Sequence, residues 1–204
     1  MLVKQKTQTN SHAGFSLLEL LIAMVITLAV MAAASTLLAT SLRVRSRENT
    51  RTEALASAQR ALNIMSREIG NAGYGLNDNG IVLADSGTSS IRVRANLNND
   101  TSLTQVDEDV RFIYQPANSS IVRLDNLNGP SGAVVLATSI SSLTLTYMDV
   151  NGLVIANPAN YGNAERVNID VRVDLPAAPE QPASTVRLLS DVALRNAQNT
   201  LKGF

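Results

Sequence analysis

From Leu20 to Leu42 the chain carries about 23 consecutive residues without a charge, enough to cross a bilayer core of about 30 Å as a helix. Polar residues enter after Leu42 without a turn signal, and Leu55, Ala58, Leu62, Met65 and Ile69 then recur at the spacing of one helical face. No proline precedes Pro116, so the pattern predicts one helix from Phe15 to Ile69, about 80 Å long at 1.5 Å per residue. Gly70, Gly73 and Gly75 supply its stop. Beyond Gly75 the period shortens to two. Val110, Phe112 and Tyr114 share one strand face, as do Leu143, Leu145 and Tyr147, and Val167, Ile169, Val171 and Val173. Shorter runs at 81–84, 91–95, 121–124, 134–137 and 186–194 read as further strands, and Asn79-Gly80, Asn128-Gly129 and Asn151-Gly152 read as hairpin turns. The expected fold is α+β: a long N-terminal helix whose second half covers a C-terminal antiparallel sheet.

Composition narrows the function. The 17 basic and 17 acidic residues balance, which gives no electrostatic footprint for nucleic acid. Cysteine is absent, so disulfides, thiol chemistry and Cys-bearing zinc sites are excluded. His12 is the one histidine, and it lies before the apolar run, which leaves the sheet domain without a histidine triad or a His-rich metal site. The expectation is a protein that is not an enzyme and has no cofactor. Oxygen-rich loops at 77–79, 98–100, 107–109 and 125–126 raise calcium as a weak alternative to plain turn chemistry, with the 96–109 loop and its Asp100, Asp107 and Asp109 as the better candidates. The glycines at 70, 73 and 75 follow a helix, the reverse of a dinucleotide fingerprint. The Pro176–Pro182 stretch reads as an exposed connection between strands, with a docking motif as its alternative.

One residue resists the plain anchor reading. Glu19 stands at the head of the apolar run, where a carboxylate costs about 2.5–3.5 kcal/mol at a membrane helix centre and somewhat less near an end. A cut after Gly14 would place a new amino group four residues away, and a neighbouring subunit's amine could reach the same carboxylate. Removing residues 1–14 also removes Lys4 and Lys6 and leaves 15 basic against 17 acidic residues. A secretory signal cut near Ala32-Ala33-Ala34 competes, but Glu19 would sit in its apolar core and apolar residues resume at Leu37. A plain signal anchor competes too, and Arg43, Arg45, Arg47 and Arg51 would orient it with the opposite end inside.

Gly14-Phe15-Ser16-Leu17-Leu18-Glu19, behind a short basic leader, resembles the class III signal of type IV prepilins and type II secretion pseudopilins. That resemblance implies cleavage after Gly14 by a prepilin peptidase, methylation of the new N-terminal Phe15, and pairing of Glu19 with a neighbour's N-terminal amine. It implies four segments: a leader at 1–14, a membrane-spanning or filament-core helix at 15–42, its amphipathic continuation at 43–70, and a globular sheet domain at 71–204. The 67–75 junction with its Ala72-Gly73-Tyr74 core resembles that of PilW-type minor pilins, and the 143–152 segment, the 167–173 run and the closing 192–196 run are similar to PilW- and GspJ-type minor subunits. Many main-fibre pilins carry a disulfide and a proline in the apolar half, and this chain has neither. The resemblance therefore implies a minor pilin that helps initiate or cap a bacterial type IV pilus, with a minor pseudopilin of type II secretion as the alternative and a membrane-anchored binding or enzymatic domain as the remote one. Implied partners are other major and minor pilins or pseudopilins, the prepilin peptidase, the inner-membrane assembly platform and membrane lipid. The implied place is the bacterial inner membrane, single-pass with the C-terminal domain in the periplasm, and then the pilus or pseudopilus.

Overall fold

The computed structural model describes residues 14–100, 102–175, 177 and 182–197. Its elements are one helix, α1 (Leu17–Gly70), and seven strands: β1 (Ser90–Arg94), β2 (Asp109–Gln115), β3 (Ser120–Asp125), β4 (Ala133–Ala137), β5 (Ile140–Met148), β6 (Arg166–Leu175) and β7 (Ser184–Ala193). The chain divides into two compact units, Met1–Ser46 and Arg47–Phe204.

In the second unit the helix buries Ala54, Ala58, Ala61, Leu62, Met65 and Ile69. The stripe is shifted slightly from the sequence expectation. Leu55 lies at its flank, partly buried, while Ala54 and Ala61 join the centre. Small side chains there let the helix backbone approach the strands, and the larger Met65 and Ile69 fill the core beyond them.

Every predicted strand run but one forms a strand. They make two sheets rather than one: a four-stranded β1-β2-β3-β4 and a three-stranded β5-β6-β7, all antiparallel. The change of sheet falls between β4 and β5, where Ser139 takes a φ of 60°. Strand β6 is central in its sheet, and Val167, Ile169, Val171 and Val173 on one face are fully buried. Across from them Leu143, Leu145 and Tyr147 of β5 complete that part of the core. The exception is 81–84. Ile81 makes a single bridge to Val93, and the chain then turns through a 3-10 helix at Leu83–Asp85, delivering the Asp85 carboxylate to Arg92 (2.6 Å) and Arg111 (3.3 Å).

The turn expectations divide similarly. Asn151-Gly152 returns the chain to form the Met148–Val154 bridge, and Asn128-Gly129 joins β3 to β4 through a 3-10 turn at Gly129–Gly132. Asn79-Gly80 is not a hairpin. Asn79 is buried and donates its amide to the carbonyls of Tyr161 (2.8 Å) and Ala164 (3.1 Å), while Gly80 takes a φ of 74° against the strand backbone. Tyr74 does not anchor the junction by its ring, which is half exposed; its carbonyl accepts from the Asn96 amide instead. The helix end is closed from the far end of the chain, where Arg195 N–H donates to Gly70 O and Asn196 donates to Ala72 O.

Two sets of ion pairs clamp the first sheet. Arg92 sends Nε and Nη2 to the two oxygens of Asp109 at 2.7 Å each, and Arg94 Nε adds a third contact at 2.9 Å. Burial alone would raise the Asp109 carboxyl, but hydrogen bonds from Arg92, Asn126 and Arg94 together hold it below the usual aspartate range. Arg123 bridges Glu68 of the helix (2.9 Å) to Asp107 (2.6 Å), tying α1 to β3 and its neighbouring loop.

Candidate functional site: the N-terminal junction

The first unit is built on the apolar half of α1. Gly14, Phe15 and Ser16 precede the helix, and Phe15 is 86% exposed. Ser16 is its N-cap: its carbonyl accepts the first intrahelical bond from Leu20 N (3.1 Å), and its hydroxyl oxygen accepts from Leu18 N (3.3 Å). Glu19 is therefore the third helical residue, the acidic member of a Ser-x-x-Glu capping pattern, in the turn where the helix dipole favours negative charge. Its place in the first turn gives a carboxylate here a second rationale, beside the pairing that the resemblance implies.

Magnitudes decide whether capping is enough. A carboxylate at a helix N-terminus gains about 0.3–1 kcal/mol. Immersion in hydrocarbon costs about 2.5–3.5 kcal/mol at a helix centre. The cap offsets a fraction of that cost, so a Glu19 placed in lipid or a packed bundle still calls for a cation. Phe15 lies outside the helix, before the N-cap, and the i,i+4 helical register that would set its nitrogen over Glu19 is not formed at this end.

Along this half the large apolar side chains face outward: Leu17, Leu18, Leu20, Leu21, Met24 and Val25 are between 57% and 86% exposed. The helix is long and apolar enough to cross a membrane, and its most apolar window has none of its residues buried. Three of its hydroxyls bond to their own backbone, Thr27 to Ala23 O (2.7 Å), Thr36 to Ala33 O (2.8 Å) and Thr40 to Thr36 O (2.8 Å). Small Ala23 and Thr27, set among Leu20, Met24 and Leu28, leave a shallow apolar groove of about 300 Å³ on the helix surface.

Gly14 is free of any folding requirement. Its backbone does not adopt the left-handed region, and a Cβ added there meets no atom within 4 Å. The leader residues 1–13 lie outside the described residues, as does most of the Pro176–Pro182 stretch.

The weak calcium candidates are not brought together. Asp100 Oδ1 accepts from the Ser102 amide (2.7 Å), Asp107 is held by Arg123, and Asp109 by Arg92 and Arg94. The neighbouring acids act as loop clamps: buried Glu108 accepts from the amides of Leu97 (3.1 Å) and Gln105 (3.0 Å), and buried Asp125 from Leu127 N (3.0 Å) and Asn128 Nδ2 (2.7 Å). Among the described residues no group of three or more His, Asp or Glu side chains is placed to hold a metal ion.

Residues 9–35 match the prokaryotic N-terminal methylation motif. A comparison with curated proteins found no match. The motif, running directly into the long apolar helix, fits a type IV pilin-like protein of the pilin or pseudopilin type, with the prepilin peptidase and membrane anchoring that the motif implies.

Proposed function

We propose that the chain is a minor pilin of a bacterial type IV pilus, an assembly subunit and not an enzyme, which is cleaved after Gly14, methylated at Phe15 and joined to its neighbours through α1. The observation that carries this reading is the methylation motif at 9–35 continuing into an apolar helix whose large side chains are exposed among the described residues. Three features support it. Gly14 serves no need of the fold, so its identity answers to whatever reads the junction. Glu19 heads the helix with a charge only partly offset by the cap, and a neighbouring subunit's Phe15 ammonium supplies the missing cation, favouring the axial stagger that brings the two together. Methylation leaves that nitrogen basic and charged.

Among its described residues the second unit carries no constellation that would favour catalysis. Its open hollow of about 790 Å³ is lined by hydroxyls such as Ser119, Ser139 and Thr185, and Asp174 is the one ionisable group among the lining residues. Among the described residues none of those hydroxyls has a histidine or lysine beside it to act as base.

Mass spectrometry of the mature N-terminus tests the processing: the expected product starts at methylated Phe15, and a start near Ser35 would overturn it in favour of a secretory signal. Replacing Gly14 with a bulky residue should leave uncut precursor. Glu19→Ala tests the assembly role, with loss of incorporation into fibres expected while cleavage continues; normal incorporation would remove the pairing from the proposal. Incorporation into a secretion pseudopilus and not a pilus would move the chain to the minor pseudopilins.

A further inference from the structure

Three Asn-Gly pairs occur in the chain, at 79–80, 128–129 and 151–152. Such a pair carries its own chemistry, because glycine has no Cβ to shield its backbone nitrogen from the side-chain amide before it. The nitrogen attacks Cγ of the asparagine only where that amide is free to swing over it. The fold meets this condition differently at each pair.

Asn79 is locked. It is 1% exposed, its amide nitrogen donates to Tyr161 O (2.8 Å) and Ala164 O (3.1 Å), and its Oδ1 accepts from Ile81 N (3.2 Å). The Gly80 nitrogen is also taken, donating to Asp78 Oδ1 at 2.8 Å. Asn128 lies at the surface, but its amide nitrogen donates to Oδ2 of buried Asp125 at 2.7 Å, and Gly129 opens the 3-10 turn at Gly129–Gly132. Asn151 is exposed, and among the described residues no hydrogen bond holds its side chain. Gly152 beside it has a φ of 76° and open space where a Cβ would stand. The bond that ring closure has to release is Gly152 N–H to Asp149 O (3.0 Å), made at an exposed turn.

We propose that Asn151 is a site of spontaneous covalent modification, converted through a cyclic imide to aspartate and isoaspartate, and that the fold protects Asn79 and Asn128. In the first step the Gly152 nitrogen bonds to Asn151 Cγ and the Cγ–Nδ2 bond breaks. Nδ2 leaves as ammonia, taking up the proton from the Gly152 nitrogen. Water then opens the imide, at Cγ to give aspartate or at the main-chain carbonyl to give isoaspartate. The net reaction consumes one water and releases one ammonia, with no oxidant or reductant. Either product sets a second carboxylate beside Asp149 on a turn where Val150, Leu153 and Val154 are between 60% and 65% exposed. Isoaspartate also lengthens the backbone of that turn, which works against the Asp149 N–Leu153 O bond (3.0 Å) that closes it. The reaction is independent of the processing at Gly14.

The test follows each amide in the purified full chain, kept warm in detergent at mildly alkaline pH. Mass spectrometry after proteolysis reads the exchange of amide for carboxyl, and fragmentation assigns the converted residue. A parallel sample in concentrated urea gives the rate of each pair without the fold, and each folded rate is divided by its own urea rate. A hydrogen bond to a charged group is the stronger hold, so Asn151 should convert roughly tenfold faster than Asn128 on that scale. Asn79 should stay unconverted until the chain unfolds. Gly152→Ala adds a Cβ that meets no neighbour within 4 Å but shields the nitrogen, so it should slow conversion of Asn151 in the folded chain and in urea alike. Conversion of Asn151 no faster than Asn128 on the normalised scale would overturn the proposal. So would aspartate without isoaspartate, or an unchanged rate in Gly152→Ala, because either means direct hydrolysis without the imide.

Discussion

Gly80→Ala is the sharpest test of how the helix end is fastened to the first sheet. Gly80 sits at a φ of 74°, and a Cβ there would lie 2.2 Å from the Gly73 nitrogen and 2.4 Å from the Arg94 carbonyl oxygen. Both are backbone atoms, so neither can rotate aside. They also bond to each other, Gly73 N–H to Arg94 O at 2.9 Å, and Arg94 N–H bonds back to Gly80 O at 2.8 Å. The left-handed backbone costs an alanine about 1–2 kcal/mol. Displacing the two buried backbone bonds adds about 1–3 kcal/mol each when the groups lose their partners. The expected total is about 3–8 kcal/mol, a large share of the roughly 5–15 kcal/mol that holds a typical domain. Gly152 is the matched control. Its φ is 76°, but a Cβ there meets nothing within 4 Å, so Gly152→Ala should cost only the backbone term of about 1–2 kcal/mol. Urea unfolding of the full chain in detergent, followed by the near-ultraviolet signal of the Tyr147–Tyr161 stack, reads the second unit selectively. Equal losses for the two variants would refute the reasoning, because the crossing at Gly73, Gly80 and Arg94 would then be free to open.

Other outcomes follow from the same geometry. Asp109→Ala leaves Arg92 and Arg94 without their shared carboxylate and should cost about 3 kcal/mol in urea unfolding at neutral pH. Because the folded carboxyl is held below the ordinary 3.8, its contribution is intact above that value and is lost as pH falls through the lower folded one; the stability gap between the native chain and Asp109→Asn should narrow over that acid range. Ala58→Leu places a larger side chain at a fully buried position and should destabilise the second unit by about 1–3 kcal/mol, whereas Ala39→Leu, on the exposed half of the helix, should leave its unfolding unchanged.

Periodicity made most of the fold readable. The helix stripe and the seven strands follow directly from spacings of 3.6 and 2, because each must bury one face. The division into two sheets was not readable, since the change between β4 and β5 is made by Ser139 at positive φ, a residue that carries no turn signature. Asn79 was misread for the opposite reason: Asn-Gly is a strong hairpin signal, but here the amide is spent inside the core on Tyr161 and Ala164. At the N-terminal junction Glu19 drew notice because a charge in an apolar run stands out. Ser16 was overlooked, since a hydroxyl before a helix is common and reveals its role only once the helix start is fixed. The Arg92–Asp109 clamp was hidden because its partners are far apart in sequence and ordinary in type.

The fastening of the helix end by Arg195 and Asn196 has a consequence for the order in which the molecule comes into being. Ser66, Gly70 and Ala72, near the end of α1, meet Ser190, Arg195 and Asn196 of the last strand and its extension. More than a hundred residues separate the two sides of each contact, so the helix waits on nearly the whole chain before its end is fastened. A nascent chain that has not yet released β7 from the ribosome lacks the partners of Ser66, Gly70 and Ala72. Strand β7 and its extension thus complete the helix end, and a chain truncated before Ser184 should lack the Ser190, Arg195 and Asn196 contacts that hold it.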